Sequence, residues 1–291
     1  MAERKELLLT AVVCAGEQET DPEVLRQHAV PETAEGMEVL VFPGTAAALQ
    51  QGIREAAGRY LLVLQPGDRM TEGSAAALME ELSDCAEDAV IFENVSGYSL
   101  LGTPVEHHKT YRFDDIAEGL EADLPNLALR TGLLRERDIS VAADSSDPAE
   151  ELLIRTAEHT ETVRFTGLAV IAPGEDPSTS EEARQAMIRE KAARDRLLAE
   201  LLPVYDRTKE PHPARGYLMA RHLAGIVSCR IRTGLYEGPK SGAKQEIMAL
   251  DRQLKKEYPA VYYSNRNSAV ELLRKSAYLM FGRLSRIAGE R

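Results

Sequence analysis

The chain has no tryptophan, and aromatic residues make up 5% of its 291 positions. A surface that stacks bases needs aromatic platforms, so a nucleic-acid partner is not expected. Cysteine is scarce as well: Cys14, Cys85 and Cys229 are odd in number and far apart. That spacing makes neither a disulfide framework nor a metal knuckle, and it suits a reducing compartment such as the cytoplasm. No run of about 18 apolar residues occurs, so no membrane span is expected. The opening MAERKELLLTAVV has a charged lead, a short apolar stretch and no small-residue cleavage site; it reads as a strand, not a signal peptide. Internal repeats and low-complexity tracts are missing too. What is left, 44% hydrophobic and 28% charged, is an ordinary globular composition. The length allows one large domain with a smaller one beside it.

Basic charge is lacking in one part of the chain and abundant in the other. Residues 1–180 carry 13 Lys+Arg against 34 Asp+Glu, a net of −21, and residues 181–291 carry 22 against 13, a net of +9. Two regions with different partners produce such a split, and so do two halves that attract each other.

Hydrophobic patterning places strands at Glu6–Cys14, Glu38–Phe42, Tyr60–Leu64 and Ala89–Phe92. Helices are expected after the Asp21-Pro22 cap, over Thr45–Ala57 and over Thr71–Leu82. This alternation predicts an α/β layered sheet with helices on both faces, whose ligands bind beyond the carboxyl ends of the strands. Pro125–Arg137 and Ala149–His159 read as helices and Val163–Ile171 as a strand or two. Pro173–Ser180 is the linker, giving domains at 1–178 and 179–291. Beyond it the pattern is helical, with helices expected near 181–202, 214–234, 241–256 and 266–287.

The stretch Gly44–Asp68, GTAAALQQGIREAAGRYLLVLQPGD, carries a more specific signal. It resembles, without gaps, a segment of inverting family 2 glycosyltransferases, members of the nucleotide-diphospho-sugar transferase superfamily. Gly44, Ala47, Ala48, Gly52, Ile53, Ala56, Gly58, Tyr60 and Asp68 carry the match. Asn126–Leu134, Ser146–Arg155 and Thr162–Ser180 are similar to later family segments, in the same order, so the resemblance covers about residues 6–180. It implies a GT-A (Rossmann-like) mixed sheet flanked by helices, here followed by a smaller all-helical domain. It also implies a nucleotide-sugar donor and a glycan or lipid-linked acceptor, as in cell-surface polysaccharide synthesis.

In that family the strand ends in acidic residues that hold a divalent metal on the donor diphosphate. Here the first and third acidic positions are Gln65 and Gly67, which supply no anionic ligand, and Asp68 remains. Gln65 and Asp68 are the candidate donor contacts, with no metal site assigned and Mg or Mn doubtful as a cofactor; Asp68 also reads as a turn or cap residue. The family's general base corresponds to Asp147, with Asp144 one slip away. Asp147-Pro148 is equally an N-cap followed by Pro at the first helical position. The ends of the first and second strands, Val13-Cys14-Ala15-Gly16 and Val41-Phe42-Pro43-Gly44-Thr45, depart from the family's nucleotide segments. The second strand also runs straight into the small-residue helix, where the family inserts another helix and strand. His107-His108-Lys109 reads as a phosphate or metal contact or as a surface loop. Asn126 and Arg130 read as acceptor-facing or as helix surface.

The expected last helix places Val270, Leu273, Ala277, Met280, Phe281, Leu284 and Ile287 on one arc, with Arg274, Lys275, Arg283 and Arg286 outside it. Such a helix packs on its neighbours or lies on an anionic membrane; Leu272 and Leu279, opposite the arc, suggest burial on two faces. Two functions stay open: a glycosyltransferase at the inner face of a membrane, and a glycosyltransferase-like scaffold subunit that has lost catalysis.

Overall fold

The computed structural model describes residues 7–15, 21–44, 46–94, 105–121, 124–174 and 181–290. Gly16, Thr45 and the predicted linker around Ser178-Thr179-Ser180 lie outside them. The chain divides into two compact units, Met1–Glu175 and Asp176–Arg291.

The first unit is α/β. Its strands are β1 (Leu9–Ala15), β2 (Met37–Pro43), β3 (Tyr60–Leu64), β4 (Arg69–Met70), β5 (Ala89–Asn94), β6 (Thr110–Arg112), β7 (Leu127–Arg130) and β8 (Thr162–Ala172). Its helices are α1 (Pro22–Ala29), α2 (Ala46–Glu55), α3 (Ser74–Ser83), α4 (Phe113–Ile116), α5 (Thr131–Glu136) and α6 (Pro148–Ala157). The strands form one mixed sheet in the order β2-β1-β3-β7-β5-β8-β4, with β6 also on β8. β1 runs parallel to β2 and β3, and β5 parallel to β8. β7 is antiparallel to both β3 and β5. Every residue of β1 and β3 is buried, which is why both read as unbroken apolar runs.

The small residues of the Gly44–Asp68 stretch have a packing reason. A Cβ on Gly52 would lie 2.5 Å from a Val12 methyl, so the glycine lets α2 sit directly on β1. Asp21 caps α1 by accepting from the backbone N–H of Glu23 at 3.0 Å, with Pro22 at the first helical position.

Three expectations are corrected. The predicted helix over Pro125–Arg137 is a short 3-10 turn, then β7, then α5. Leu127, Ala128 and Leu129 are buried in the slot between β3 and β5, and that burial overrides their helical propensity, which is a weak term. The helix expected over 181–202 is instead α7 (Glu181–Arg189) and α8 (Lys191–Lys209), and α8 continues through Pro203. Leu201, Val204 and Tyr205 are buried on either side of the proline; their packing outweighs its cost in a helix, about 3 kcal/mol.

The third correction concerns the end of the chain. The second unit continues with α9 (Pro213–Glu237), α10 (Ala243–Glu257), α11 (Pro259–Tyr263), α12 (Ser268–Lys275) and α13 (Phe281–Glu290). α9 is the hub, packed against α7, α8, α10, α11 and α13. The single helix expected over 266–287 is α12 and α13, split where Ala277 and Tyr278 take left-handed φ of 46° and 63°. Val270, Leu273 and Phe281 of its apolar arc are buried, whereas Leu272 is 41% and Leu279 83% exposed. The two-faced burial is therefore not found.

Several basic side chains of this unit are internal. Arg230 is 4% exposed and pairs with Asp195 at 2.6 Å and Glu246 at 2.9 Å. Lys191 bridges Glu237 and Glu246 at 2.9 and 2.7 Å. The hydrogen bond from Lys191 and partial burial oppose each other at Glu246, and the net effect holds its carboxyl below the usual range. Among the described residues no helix is long and apolar enough to cross a membrane.

Candidate functional site

The chain leaves β1 toward β2 and leaves β3 toward β4, at the opposite end of the sheet. The carboxyl ends of β1 and β3 therefore flank a topological switch point, where open α/β sheets form their ligand crevice. In register, Val13 lies beside Leu64 and Cys14 beside Phe42. Residues Gln65–Asp68 follow directly on β3.

Those four residues form a tight turn. The Asp68 backbone N–H donates to the Gln65 carbonyl at 3.0 Å. Pro66 sits in the second position and Gly67, with φ of 88°, in the third, as a type II turn requires. The Asp68 carboxylate closes the structure twice: Oδ2 accepts from the Gln65 backbone N–H at 2.9 Å, and Oδ1 from the Gly174 backbone N–H at 3.1 Å. The pairing of β4 with β8, Arg69 opposite Ala172 and Met70 opposite Ile171, carries Gly174 to this position. A Cβ on Gly174 would meet the Gly67 backbone at 2.7–3.0 Å, so a side chain there would hold the two loops apart.

Asp68 is 6% exposed and Gln65 is exposed. Cys14 is buried nearby; burial first, and the Asp68 charge second, push its thiol up to about 12. At neutral pH it is a neutral thiol and a poor nucleophile.

The donor set at this strand end does not fit a divalent metal. Mg²⁺ and Mn²⁺ favour carboxylate oxygens. Gln65 brings an amide, Gly67 no side chain, and both Asp68 oxygens face backbone N–H groups. Among the described residues no group of three or more His, Cys, Asp or Glu is placed to hold a metal ion.

Asp147 is the N-cap of α6, accepting from the Glu150 backbone N–H at a long 3.4 Å, with Pro148 following it. It is half-buried, and Asp144 is exposed in the turn before it. The loop is pinned from within. Glu151, fully buried, accepts from the Ala142 backbone N–H at 3.3 Å and pairs with Arg155 at 2.8 Å. Next to Asp147, the Ser145 and Ser146 hydroxyls are buried without a hydrogen-bond partner among the described residues. Eight other side-chain atoms of the described residues are in the same state, Thr131 Oγ1 and Thr156 Oγ1 among them. Ser146 and Glu151 fall in the Ser146–Arg155 segment that carries the resemblance, but their burial comes from packing and not from spacing.

The remaining candidates sit elsewhere. Arg130 pairs in register with Tyr60, at the amino end of β3, the edge opposite Gln65–Asp68. Its Nε and one terminal nitrogen donate to Asp88 Oδ1 at 3.1 and 2.8 Å, while Asp88 Oδ2 accepts from the backbone of Glu161 and Thr162. This strap ties the starts of β3, β5 and β8, and Asn126 is buried; the acceptor-facing reading of Arg130 is set aside. His108 contacts Glu81, and His107 lies 3.3 Å from Glu93. His108 also lines a cavity of about 330 Å³ with Glu80, Glu81, Asp84 and Arg164. That cavity lies over α3 and β8, not at the β1/β3 crevice.

No protein-family model matches the sequence, and no curated protein matches it. Solved structures do resemble it. S. aureus TarS residues 1–349, crystallised in complex with UDP, has a TM-score of 0.52 at 12% identity, over 97% of this chain and 90% of that chain. The mannosyltransferase PcManGT from Pyrobaculum calidifontis, in complex with GDP-Man and Mn2+, has a TM-score of 0.42 at 11% identity, over 98% and 88% of the two chains. The likeness to the first shows the fold: a GT-A-like mixed sheet flanked by helices, followed by a smaller helical region.

Proposed function

We propose that the α/β unit is a GT-A-type glycosyltransferase domain that takes a nucleoside-diphosphate sugar at the β1/β3 crevice without a divalent metal. The acceptor is a glycan or a lipid-linked saccharide, and the product a cell-surface polysaccharide. The protein works in the cytoplasm, in peripheral contact with the inner face of a membrane through its basic C-terminal helices. The observation that carries this reading is the loop Ser145-Ser146-Asp147, which holds two buried, unpartnered hydroxyls beside a half-buried carboxylate.

In the transfer, Asp147 accepts the proton of the acceptor hydroxyl. The oxygen so freed bonds to the anomeric carbon from the face opposite the leaving group. The carbon–oxygen bond to the diphosphate breaks, and the electron pair leaves on the nucleoside diphosphate, inverting the centre. Lys or Arg side chains and backbone N–H groups meet the developing charge, since the donor set fits no metal. Gln65, exposed at the strand end, is a neutral contact for the diphosphate, and Asp68 shapes the turn that presents it.

A second reading, a scaffold subunit without catalysis, is favoured by one specific observation. β2 is the edge of the sheet and two residues separate it from α2, so the extra helix and strand expected of a full nucleotide half are not inserted there. Calorimetric titration with UDP, UDP-sugars, GDP and CMP, with and without Mn²⁺, separates the readings. Metal-independent UDP binding, with sugar transfer that survives EDTA and is lost in Asp147→Asn, is the expected result. Absence of binding by every nucleotide selects the scaffold.

A further inference from the structure

The break between α12 and α13 is built, not frayed. Two consecutive non-glycine residues, Ala277 and Tyr278, hold left-handed backbone, a conformation that costs an L-residue roughly 1–2 kcal/mol and persists where the surroundings fix it. Here they do. Arg274 grips Asp251 with two bonds of 2.9 and 2.7 Å, donates to the Tyr262 carbonyl at 2.6 Å and lies 3.8 Å over the Tyr262 ring. The Tyr278 hydroxyl donates to the same Asp251 carboxylate, which is 4% exposed. Tyr278 is thus anchored inward, and the next residue, Leu279, is thrust out to 83% exposure, the highest of the large apolar side chains of the described residues.

Its exposed neighbours in sequence are Glu271, Leu272 and Lys275 before it, the lysine paired with Glu271 at 2.5 Å, and Arg283, Arg286 and Ile287 after it. Residues 263–291 contain six Lys+Arg against two Asp+Glu. α13 keeps its other side on α9, where the Ser285 hydroxyl donates to the Leu235 carbonyl at 2.5 Å.

From this we infer that the α12–α13 corner is a membrane wedge: Leu279 enters the acyl boundary of an anionic lipid surface while Arg283 and Arg286 sit among the headgroups. This deepens the membrane-side part of the function proposed above and names its residues. A projecting apolar tip with a basic rim matches an anionic bilayer in both charge and shape. A protein partner would have to supply a socket for the tip and acidic groups around it.

The test is co-sedimentation of the full chain with phosphatidylcholine vesicles, with and without phosphatidylglycerol. Binding is expected on the mixed vesicles and not on neutral ones. Leu279→Ala should weaken it roughly 50-fold, as expected for three carbon atoms withdrawn from the acyl region at about 0.8 kcal/mol each. Arg283→Gln with Arg286→Gln should weaken it about 30-fold, at about 1 kcal/mol per cation near the surface. All three side chains are exposed, so the melting temperature should not change, and that measurement keeps folding apart from binding. Equal binding by Leu279→Asp and the parent overturns the wedge. So does no binding to either vesicle, or self-association of the parent that Leu279→Asp abolishes. None of these readouts depends on nucleotide binding, so failure here and failure of the transferase reading are separable.

Discussion

Asp68 is the residue on which the two accounts of this strand end differ most, and its replacement discriminates between them before any substrate is known. Its carboxylate accepts two backbone N–H groups, from Gln65 and Gly174, in a buried setting. Hydrogen bonds to a charged group contribute about 1.5–3 kcal/mol each, and a buried donor left without a partner is costly. Asp68→Ala removes both, so the loss is about 3–5 kcal/mol once incomplete additivity is allowed for. A unit of this size shifts by about 2–4 °C per kcal/mol, so its melting temperature should fall on the order of 10 °C. Asp68→Asn keeps one acceptor oxygen and should lose about half as much. The assay is scanning calorimetry of the full chain, with hydrogen exchange read at the Gln65 and Gly174 amides. Both amides should lose protection in Asp68→Ala, with or without Mn²⁺. If melting and protection are unchanged while Mn²⁺-dependent UDP binding disappears, Asp68 is a metal ligand and the clamp argument is wrong.

Other substitutions probe the same architecture. Gly174→Ala places a methyl group against the Gly67 backbone and should lower the melting temperature by several degrees, roughly 1–3 kcal/mol of overpacking; the parent value would show that the loops yield freely. Asp147→Asn retains an N-cap and should melt like the parent, whereas Asp147→Ala should cost about 1 kcal/mol; transfer lost in both, with stability lost in the second, separates base from cap. Cys14 should resist iodoacetamide at pH 8 while Cys229, which is half-exposed, reacts, as peptide mass mapping would report. Because the folded Cys14 thiol titrates near 12 and its ordinary value is 9.0, the unfolded chain ionises first. Stability should therefore fall as pH rises from about 9 toward 12, and Cys14→Ala should flatten that limb.

What could be read from the residues was what is local. β1 and β3 are continuous apolar runs because both faces are covered, and the caps at Asp21 and Asp147 follow from an Asp-Pro pair. The features that define the site are not local. Asp68 and Gly174 lie 106 positions apart, and no pattern within a window links them. Glu151 sits in a stretch of acidic residues that reads as a solvated helix face, yet it is fully buried because the Ala142 amide and Arg155 need it. The α12–α13 break was missed for another reason: neither Ala277 nor Tyr278 carries a turn signal, and the cause is the Asp251–Arg274–Tyr278 network. β7 shows the same override, with helix formers drawn into a strand by an open slot in the sheet.

The residues that depart from the acidic pattern of the resemblance are the ones that build the clamp. A carboxylate that displays its oxygens to a metal needs an open strand end with further anionic ligands beside it. Gln65-Pro66-Gly67 instead closes a type II turn, which swings the Asp68 carboxylate back over its own turn and onto Gly174. Asp68 is then the sole carboxylate of the turn, and one carboxylate is a weak anchor for a divalent ion. On the transferase reading proposed above, a donor diphosphate at this crevice is neutralised by protein groups. Transfer by this domain should then be insensitive to EDTA and steeply sensitive to salt, since surface cations are screened where a bound metal is not. A transferase activity restored only by Mn²⁺ would break that chain of reasoning at its first link.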